Sequence, residues 1–225
     1  MTGPASDLER LYRHRFTDDD AARKLEIWAE IVRFLGQWIP RDAIVLDLAC
    51  DQGYFIRNVI AMERWATDIR DVHDALGEGT RFVQVDGLEL ASAVPAHHFD
   101  TVFMSNYLEH LASTEAVLAQ MRQVHRVLKA GGRMIVLQPN IRYVGAAYWD
   151  FLDHKVPLTE RSLAEAAETA GFAIERLIPR LLPYTTKSRL PQHPALVRAY
   201  LRIPLLWRFL GKQTLLVARA TPDAA

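Results

Sequence analysis

The sequence predicts an α/β fold: a mostly parallel sheet of seven strands flanked by helices, with an N-terminal helix and an insertion before the last strand. Three observations carry that expectation. Short, almost wholly apolar runs rich in β-formers recur along the chain, as strands buried on both faces require. Segments with apolar residues at helical spacing lie between them. The connections are short, so strand and helix alternate, which implies a parallel sheet with helices on both faces.

Element by element, Leu25, Trp28, Ile31, Val32 and Leu35 mark an amphipathic helix over 20–38, opened by Asp18–Asp20 and ended by Pro40. Residues 43–48 read as the first buried strand and 54–62 as a helix. Strands follow at 64–68, 81–85 and 99–104, with a short helix at 70–76 broken by Gly77 and Gly79. Val117, Met121, Val124 and Leu128 define one face of a helix over 114–129, which Gly131-Gly132 should terminate before a strand at 133–137. A helix at 159–170, a strand at 172–182 and a last strand at 213–218 complete the series. One domain over 1–225 is expected, with a helical lid or cap at 1–40, a core at 41–140, ligand-side elements at 141–212 and the closing strand at 213–220.

Composition narrows the function classes. The 225 residues balance 27 Lys+Arg against 27 Asp+Glu, and half are hydrophobic, an ordinary globular mixture. No run approaches the roughly 20 apolar residues of a spanning helix. The first residues lack a signal-peptide core, so a cytoplasmic setting is expected. Cys50 is the sole cysteine, which excludes an internal disulfide and a Cys-rich zinc site.

Ligands of open parallel sheets bind at the C-terminal strand ends, beside the point where strand order reverses. Three such ends carry an acid: Asp47, Asp68 and Asp86. An acid ending the second strand can accept hydrogen bonds from a ribose diol. One opening the first loop faces the cationic part of a ligand, and Asp86-Gly87 can meet an adenine amino group. Together they describe a nucleoside carrying a cation rather than a pyrophosphate.

The residues that carry this pattern resemble class I S-adenosylmethionine-dependent methyltransferases, of the bacterial small-molecule and glycoconjugate type. Val45–Gly53 resembles the family's first motif, Ala66-Thr67-Asp68 its second strand end and Val85–Leu88 its third. Phe99–Leu111 resembles its fourth strand and following loop, and Val124–Arg133 its helix-to-fifth-strand connection. The resemblance implies a Rossmann-like sheet and S-adenosylmethionine held by Asp47, Ala49, Asp51, Gly53, Asp68, Asp86, Gly87, Ser105 and Asn106. One departure stands out. The three glycine positions of the family's first loop are here Ala49, Asp51 and Gly53, so only the third is kept. Asp51 adds a carboxylate where the methionine part of the cofactor should lie.

The implied reaction is in-line methyl transfer, in which the protein aligns acceptor, methyl carbon and sulfur and excludes water. Oxygen acceptors often need a base, for which His110 and His154 are the candidates. His154 ends the aromatic stretch Tyr143–His154, which could wall an acceptor pocket. His97-His98 reads as solvated, and the spacing of the histidines shows no metal-ligand pattern, so no metal is expected. Tyr12–Phe16 could close over the cofactor, and Cys50 reads as a small apolar filler.

Other functions fit less well. A nicotinamide-dependent oxidoreductase wants Gly-x-Gly-x-x-Gly where residues 49–54 read Ala-Cys-Asp-Gln-Gly-Tyr. An RNA or DNA methyltransferase acting on base amino groups usually carries an Asn/Asp-Pro-Pro-aromatic motif where Ser105–Leu108 stands, so nucleic acid is disfavoured. A degenerate fold serving as a non-catalytic partner is a further alternative.

The zero net charge is uneven. From Arg176 to Arg219 there are nine Lys/Arg and no acid, while residues 1–175 hold 18 basic and 26 acidic residues. Within that block, Leu196–Leu210 mixes large apolar residues with Arg198, Arg202 and Arg208. That pattern fits a membrane-peripheral surface or a dimer contact. The block could face an anionic acceptor, an anionic membrane surface, or the acidic body of the same chain.

Overall fold

In a computed structural model, residues 21–184 and 193–222 are described. The strands are β1 (Ile44–Leu48), β2 (Glu63–Asp68), β3 (Thr80–Gln84), β4 (Phe99–Ser105), β5 (Leu128–Pro139), β6 (Phe172–Leu182) and β7 (Gln213–Ala220). The helices are α1 (Ala21–Leu35), α2 (Leu90–Ala93), α3 (Thr114–Val127), α4 (Ile141–Val144), α5 (Glu160–Thr169), α6 (Pro194–Leu201) and α7 (Pro204–Leu210). The strands form one sheet in the order β3-β2-β1-β4-β5-β7-β6. The first five are parallel, and β7 pairs antiparallel with both β5 and β6.

Alternation along the central strands divides the core. Ile44, Leu46 and Leu48 of β1 face one side with Met134 and Val136 of β5, against Val117, Met121 and Val124 of α3. Val45, Ile135 and Leu137 face the other, against Ile31, Val32 and Leu35 of α1 and Trp207 of α7. Each layer covers one face of a sheet whose central strands have no solvent side.

Two expected helices do not form as α-helices. Residues 54–62 make only turns: Arg57 and Val59 amides reach Gly53 and Phe55 carbonyls, and the Asn58 side-chain amide bonds the Tyr54 and Leu25 carbonyls. That side chain competes with continued helix, and β2 begins at Glu63, so no length remains. Residues 70–76 retain only a 3₁₀ turn at His73–Ala75, because Arg70 is engaged by Asp68. Gly131-Gly132 does not terminate α3. That helix stops at Val127, and the glycines lie inside β5, where the β4 pairing slips between Phe99 and Thr101. A Cβ on Gly132 would meet the Lys129 and Phe99 carbonyls at 2.9 and 3.1 Å. His98 is half-buried rather than solvated, edge-on to Trp65 and Phe99.

The insertion before the last strand is α6 and α7. Arg198 of α6 clasps both carboxylate oxygens of buried Glu30 on α1, at 2.8 and 2.6 Å, and Arg33 pairs with it as well. Arg219 pairs with Glu175 at 2.9 Å, and Arg180 bonds the Gly211 and Phe209 carbonyls. Part of the acid-free block thus ties to the protein's own body.

Arg198 holds the Glu30 carboxyl well below its ordinary 4.5, at about 2. A depressed carboxylate stabilises the fold above about pH 4.5 and loses that contribution as pH falls towards 2. Glu30→Gln should therefore destabilise the protein on the order of 1–3 kcal/mol at neutral pH. It should also flatten the fall in stability below about pH 4.5, as read by urea unfolding across pH.

Candidate active site

Sheet register gathers the strand ends. Leu48 lies beside Thr67 of β2 and Met104 of β4, so Ala49, Asp68 and Ser105 share the next level. Strand order reverses between β1 and β4, since β2 lies on one side of β1 and β4 on the other. The crevice there is where open α/β sheets bind ligands.

The first loop turns through alternating left-handed residues: Ala49 (φ 56°), Asp51 (φ 49°) and Gly53 (φ 66°). Only glycine adopts this conformation freely, and for other L-residues it costs about 1–2 kcal/mol. The loop therefore keeps its path at the two positions where glycine is absent. At Gly53 there is a further constraint, because a Cβ would stand 2.7 Å from the Leu76 side chain.

Asp68 holds that loop. One carboxylate oxygen accepts the Arg70 amide at 2.9 Å and its Nε at 3.0 Å. The other accepts the Asp51 amide at 3.0 Å and Arg70 Nη2 at 3.2 Å. Arg70 Nη2 also reaches the Asp51 carboxylate at 2.8 Å. Arg70 thus bridges two acids, and sequence reasoning gave it no role. Its distance from Asp68, two residues, was the available signal.

Asp47 is buried at the end of β1, and burial raises its carboxyl well above the usual range, with Asp68 and Asp51 adding to the rise. Cys50 lies in the same core layer as Val45, and burial pushes its thiol up, as an inert filler would show. Asp86 is exposed and caps the turn at Gly87–Glu89 by accepting the Leu88 amide at 3.0 Å. Gly87 packs beneath Tyr107, whose hydroxyl donates to Gln120 at 2.8 Å; a Cβ on Gly87 would lie 2.3 Å from that hydroxyl. Asn106 is left-handed (φ 49°) and its side-chain amide donates to Ser105 Oγ at 2.9 Å. A shallow cavity of about 460 Å³ lined by Gln52 and residues 71–75 opens beside the first loop.

Beyond β4 and β5 stands a second group. Glu109 and His110 follow β4 in a 3₁₀ turn. His154 arrives from the loop after β5, packed among Tyr148 and Phe151, with its ring 5.1 Å from that of His110. The Lys155 and Val156 amides bond the Glu109 carbonyl at 2.7 and 3.1 Å, which joins the two segments. The two sequence-derived base candidates are thus neighbours. Glu109 was not singled out from sequence, although it adjoins His110. Tyr12–Phe16 lies outside the described residues.

The fold places the strand-end acids at the crevice where open α/β sheets bind ligands, and the comparisons give the class of protein. The family model described as "Methyltransferase domain" matches residues 19–177, and the chain belongs to that family. A protein of Encephalitozoon cuniculi named as a methyltransferase is 30% identical over 137 residues, 58% of this chain and 63% of the relative. This chain therefore matches less than two thirds of that relative's length. A SAM-dependent methyltransferase from Archaeoglobus fulgidus superposes with a TM-score of 0.63 at 18% identity, covering 87% of this chain and 94% of its own. A methyltransferase bound to the Trm112 activator of Haloferax volcanii gives 0.63 at 15% identity over 91% and 94%. The protein has a class I, Rossmann-like methyltransferase fold, and solved structures that share it include proteins described as dependent on S-adenosylmethionine.

The donor set suits that cofactor. Asp68 already accepts a two-pronged donor, Arg70 Nε and Nη2, as it would accept the two hydroxyls of a ribose diol. The Asp51 and Asp68 carboxylates beside the first loop would complement a sulfonium and an ammonium once Arg70 turns aside.

Two substitutions test the loop. Gly53→Ala should destabilise the protein by about 1–3 kcal/mol, from left-handed strain and the Leu76 clash. Ala49→Gly should stabilise it by up to about 1 kcal/mol by removing the strain at φ 56°. Thermal melts of both variants check this.

Proposed function

We propose that this chain is a catalytically active methyltransferase that moves the methyl group of S-adenosylmethionine to an oxygen or nitrogen of a small-molecule or glycoconjugate acceptor. The observation that carries the reading is the division of the strand ends. Acids cluster on the β1–β2–β3 side and the His110–His154 pair on the β4–β5 side of one switch point. S-adenosylmethionine supplies a methyl carbon already activated by its sulfonium.

In this reading, residues 41–140 hold the cofactor and 141–212 shape the acceptor side. Asp68 accepts the ribose hydroxyls once Arg70 turns aside. Asp47 and Asp51 attract the cationic end, and Asp86-Gly87 meets the adenine. Ala49, Gly53, Ser105 and Asn106 line the crevice. His110 and His154, on the acceptor side, handle the acceptor's proton, with Tyr148, Phe151 and Tyr184 as apolar walls that exclude water.

Asp68→Ala should weaken S-adenosylhomocysteine binding by at least about tenfold in calorimetry, the loss of a charge-assisted bidentate contact. Asp47→Asn should weaken it likewise while raising the melting temperature of the ligand-free protein above neutral pH. Burial raises this acid, so its ionisation costs stability as pH rises, and the amide has no charge to bury. Incubation with methyl-labelled cofactor and a bacterial extract, followed by mass spectrometry, should yield a labelled product. Cofactor binding without any transfer would support a non-catalytic partner instead.

The surface of α6 and α7 favours a further contact. Leu196, Leu205 and Phe209 are at least half exposed, beside Arg202 and Arg208, which have no acidic partner among the described residues. No described helix is long and apolar enough to cross a membrane. We read this patch as a docking face for an anionic membrane surface that presents a glycolipid acceptor. Co-sedimentation with anionic vesicles should be salt-sensitive and fall several-fold in Arg202→Glu/Arg208→Glu. Equal binding to neutral vesicles would reject this.

A further inference from the structure

Glu109, His110 and His154 each offer one ligand atom, and these atoms all lie within 4.8 Å of one another. The three differ in origin but not in placement: two follow β4, and the third comes from the loop that the Glu109 carbonyl fastens through the Lys155 and Val156 amides. His154 Nδ1 lies 2.8 Å from the Tyr148 carbonyl, so it carries the proton and leaves Nε2 as the donor of a lone pair. His110 Nδ1 faces the Asp153 carbonyl at 3.2 Å and the Asp153 carboxylate at 3.3 Å, which fixes the same tautomer. A metal-ligating histidine is normally oriented this way, by a carbonyl or carboxylate on its other nitrogen.

Glu109 supplies the independent observation. It is 1% exposed, and although the Gln138 side chain faces its carboxylate, its Oε2 makes no hydrogen bond of normal geometry among the described residues. Burying a carboxylate with an unused oxygen is costly unless a cation or donor completes it. The nearest cationic candidate, His110 Nε2, is 3.9 Å from Oε1.

We propose that Glu109, His110 and His154 form a binding site for one divalent transition-metal ion, of the Zn²⁺, Mn²⁺ or Fe²⁺ class. Two imidazoles and one carboxylate suit such ions better than Mg²⁺, which prefers oxygen alone. Three protein ligands leave coordination positions open, as in catalytic rather than structural sites. With metal–ligand lengths of about 2.0–2.2 Å, the three atoms draw together by roughly 1 Å on binding. This inference rests on the proposed acceptor side. There the ion takes over from the two histidines it occupies: an acceptor oxygen enters an open position, the ion lowers the pKa of its hydroxyl, and the proton is released to solvent.

The test uses the full chain freed of metal by a chelator and titrated with Co²⁺, read by its visible absorption, then with competing Zn²⁺. One equivalent should bind, and Zn²⁺ should displace the band. Glu109→Gln keeps the side chain's shape and should weaken Co²⁺ binding at least about tenfold. His154→Ala should do the same, with circular dichroism reporting that each variant is folded. No Co²⁺ binding at millimolar concentration, or binding unchanged in both folded variants, would overturn the site. S-adenosylhomocysteine calorimetry on the same samples separates the readings. In the wild type, absent metal binding with intact cofactor binding sinks only the metal site, and the reverse sinks only the methyltransferase reading.

Discussion

The Asp68 carboxylate is the knot of this structure. It ends β2, accepts the amide of Asp51 in the first loop, and takes both an Nε and an Nη2 from Arg70. The left-handed residues Ala49 and Asp51 give a loop path that glycine would adopt without cost. A hydrogen bond from the Asp51 amide to a buried carboxylate is one source of the energy that holds it there. Arg70 offsets the charge of Asp68 and Asp51, so two acids can stand close together without mutual repulsion setting the loop's shape. The same contacts would have to yield to a ribose diol, since both oxygens of Asp68 are engaged. On the proposed reading, cofactor binding is an exchange of donors on one carboxylate.

The other half of the site is held by a separate set of polar contacts. Asn140, just after β5, donates its side-chain amide to Glu160 of α5 at 2.8 Å and to Thr214 of β7 at 2.9 Å, while its side-chain Oδ1 accepts the Arg142 amide. Those residues fix where the chain leaves the sheet towards Tyr148 and His154. The Glu109 carbonyl then anchors the returning segment at Lys155 and Val156. Further away, Arg198 on Glu30 ties α6 to α1. The β1–β2 loops thus rest on one carboxylate, Asp68, and the segment after β5 on a buried amide, Asn140.

Much of the sheet was legible in the sequence because its strands are buried on both faces. Val45-Leu46 and Met134–Leu137 read as continuous apolar runs, and the strand at 172–182 was placed to the residue. The helices at 54–62 and 70–76 were misread for a local reason. Apolar periodicity does not show that Asn58 will bond the Tyr54 carbonyl, or that Arg70 will fold back onto Asp68. The strand-end acids were visible as a series, but their partners were not. Arg70 looked like the start of a helix, and Glu109 like one residue of a longer motif. The meeting of His110 with His154, 44 positions apart, depends on the path after β5, which no local spacing encodes.

The central claim is that Asp68 receives the ribose in place of Arg70. Calorimetric titration of the wild type and Arg70→Ala with S-adenosylmethionine tests it directly. Removing the arginine frees both carboxylate oxygens and leaves more negative charge for a cationic ligand, so the account predicts binding in both proteins and severalfold tighter binding in the variant. No binding to the wild type, or weaker binding to a folded Arg70→Ala, would contradict it.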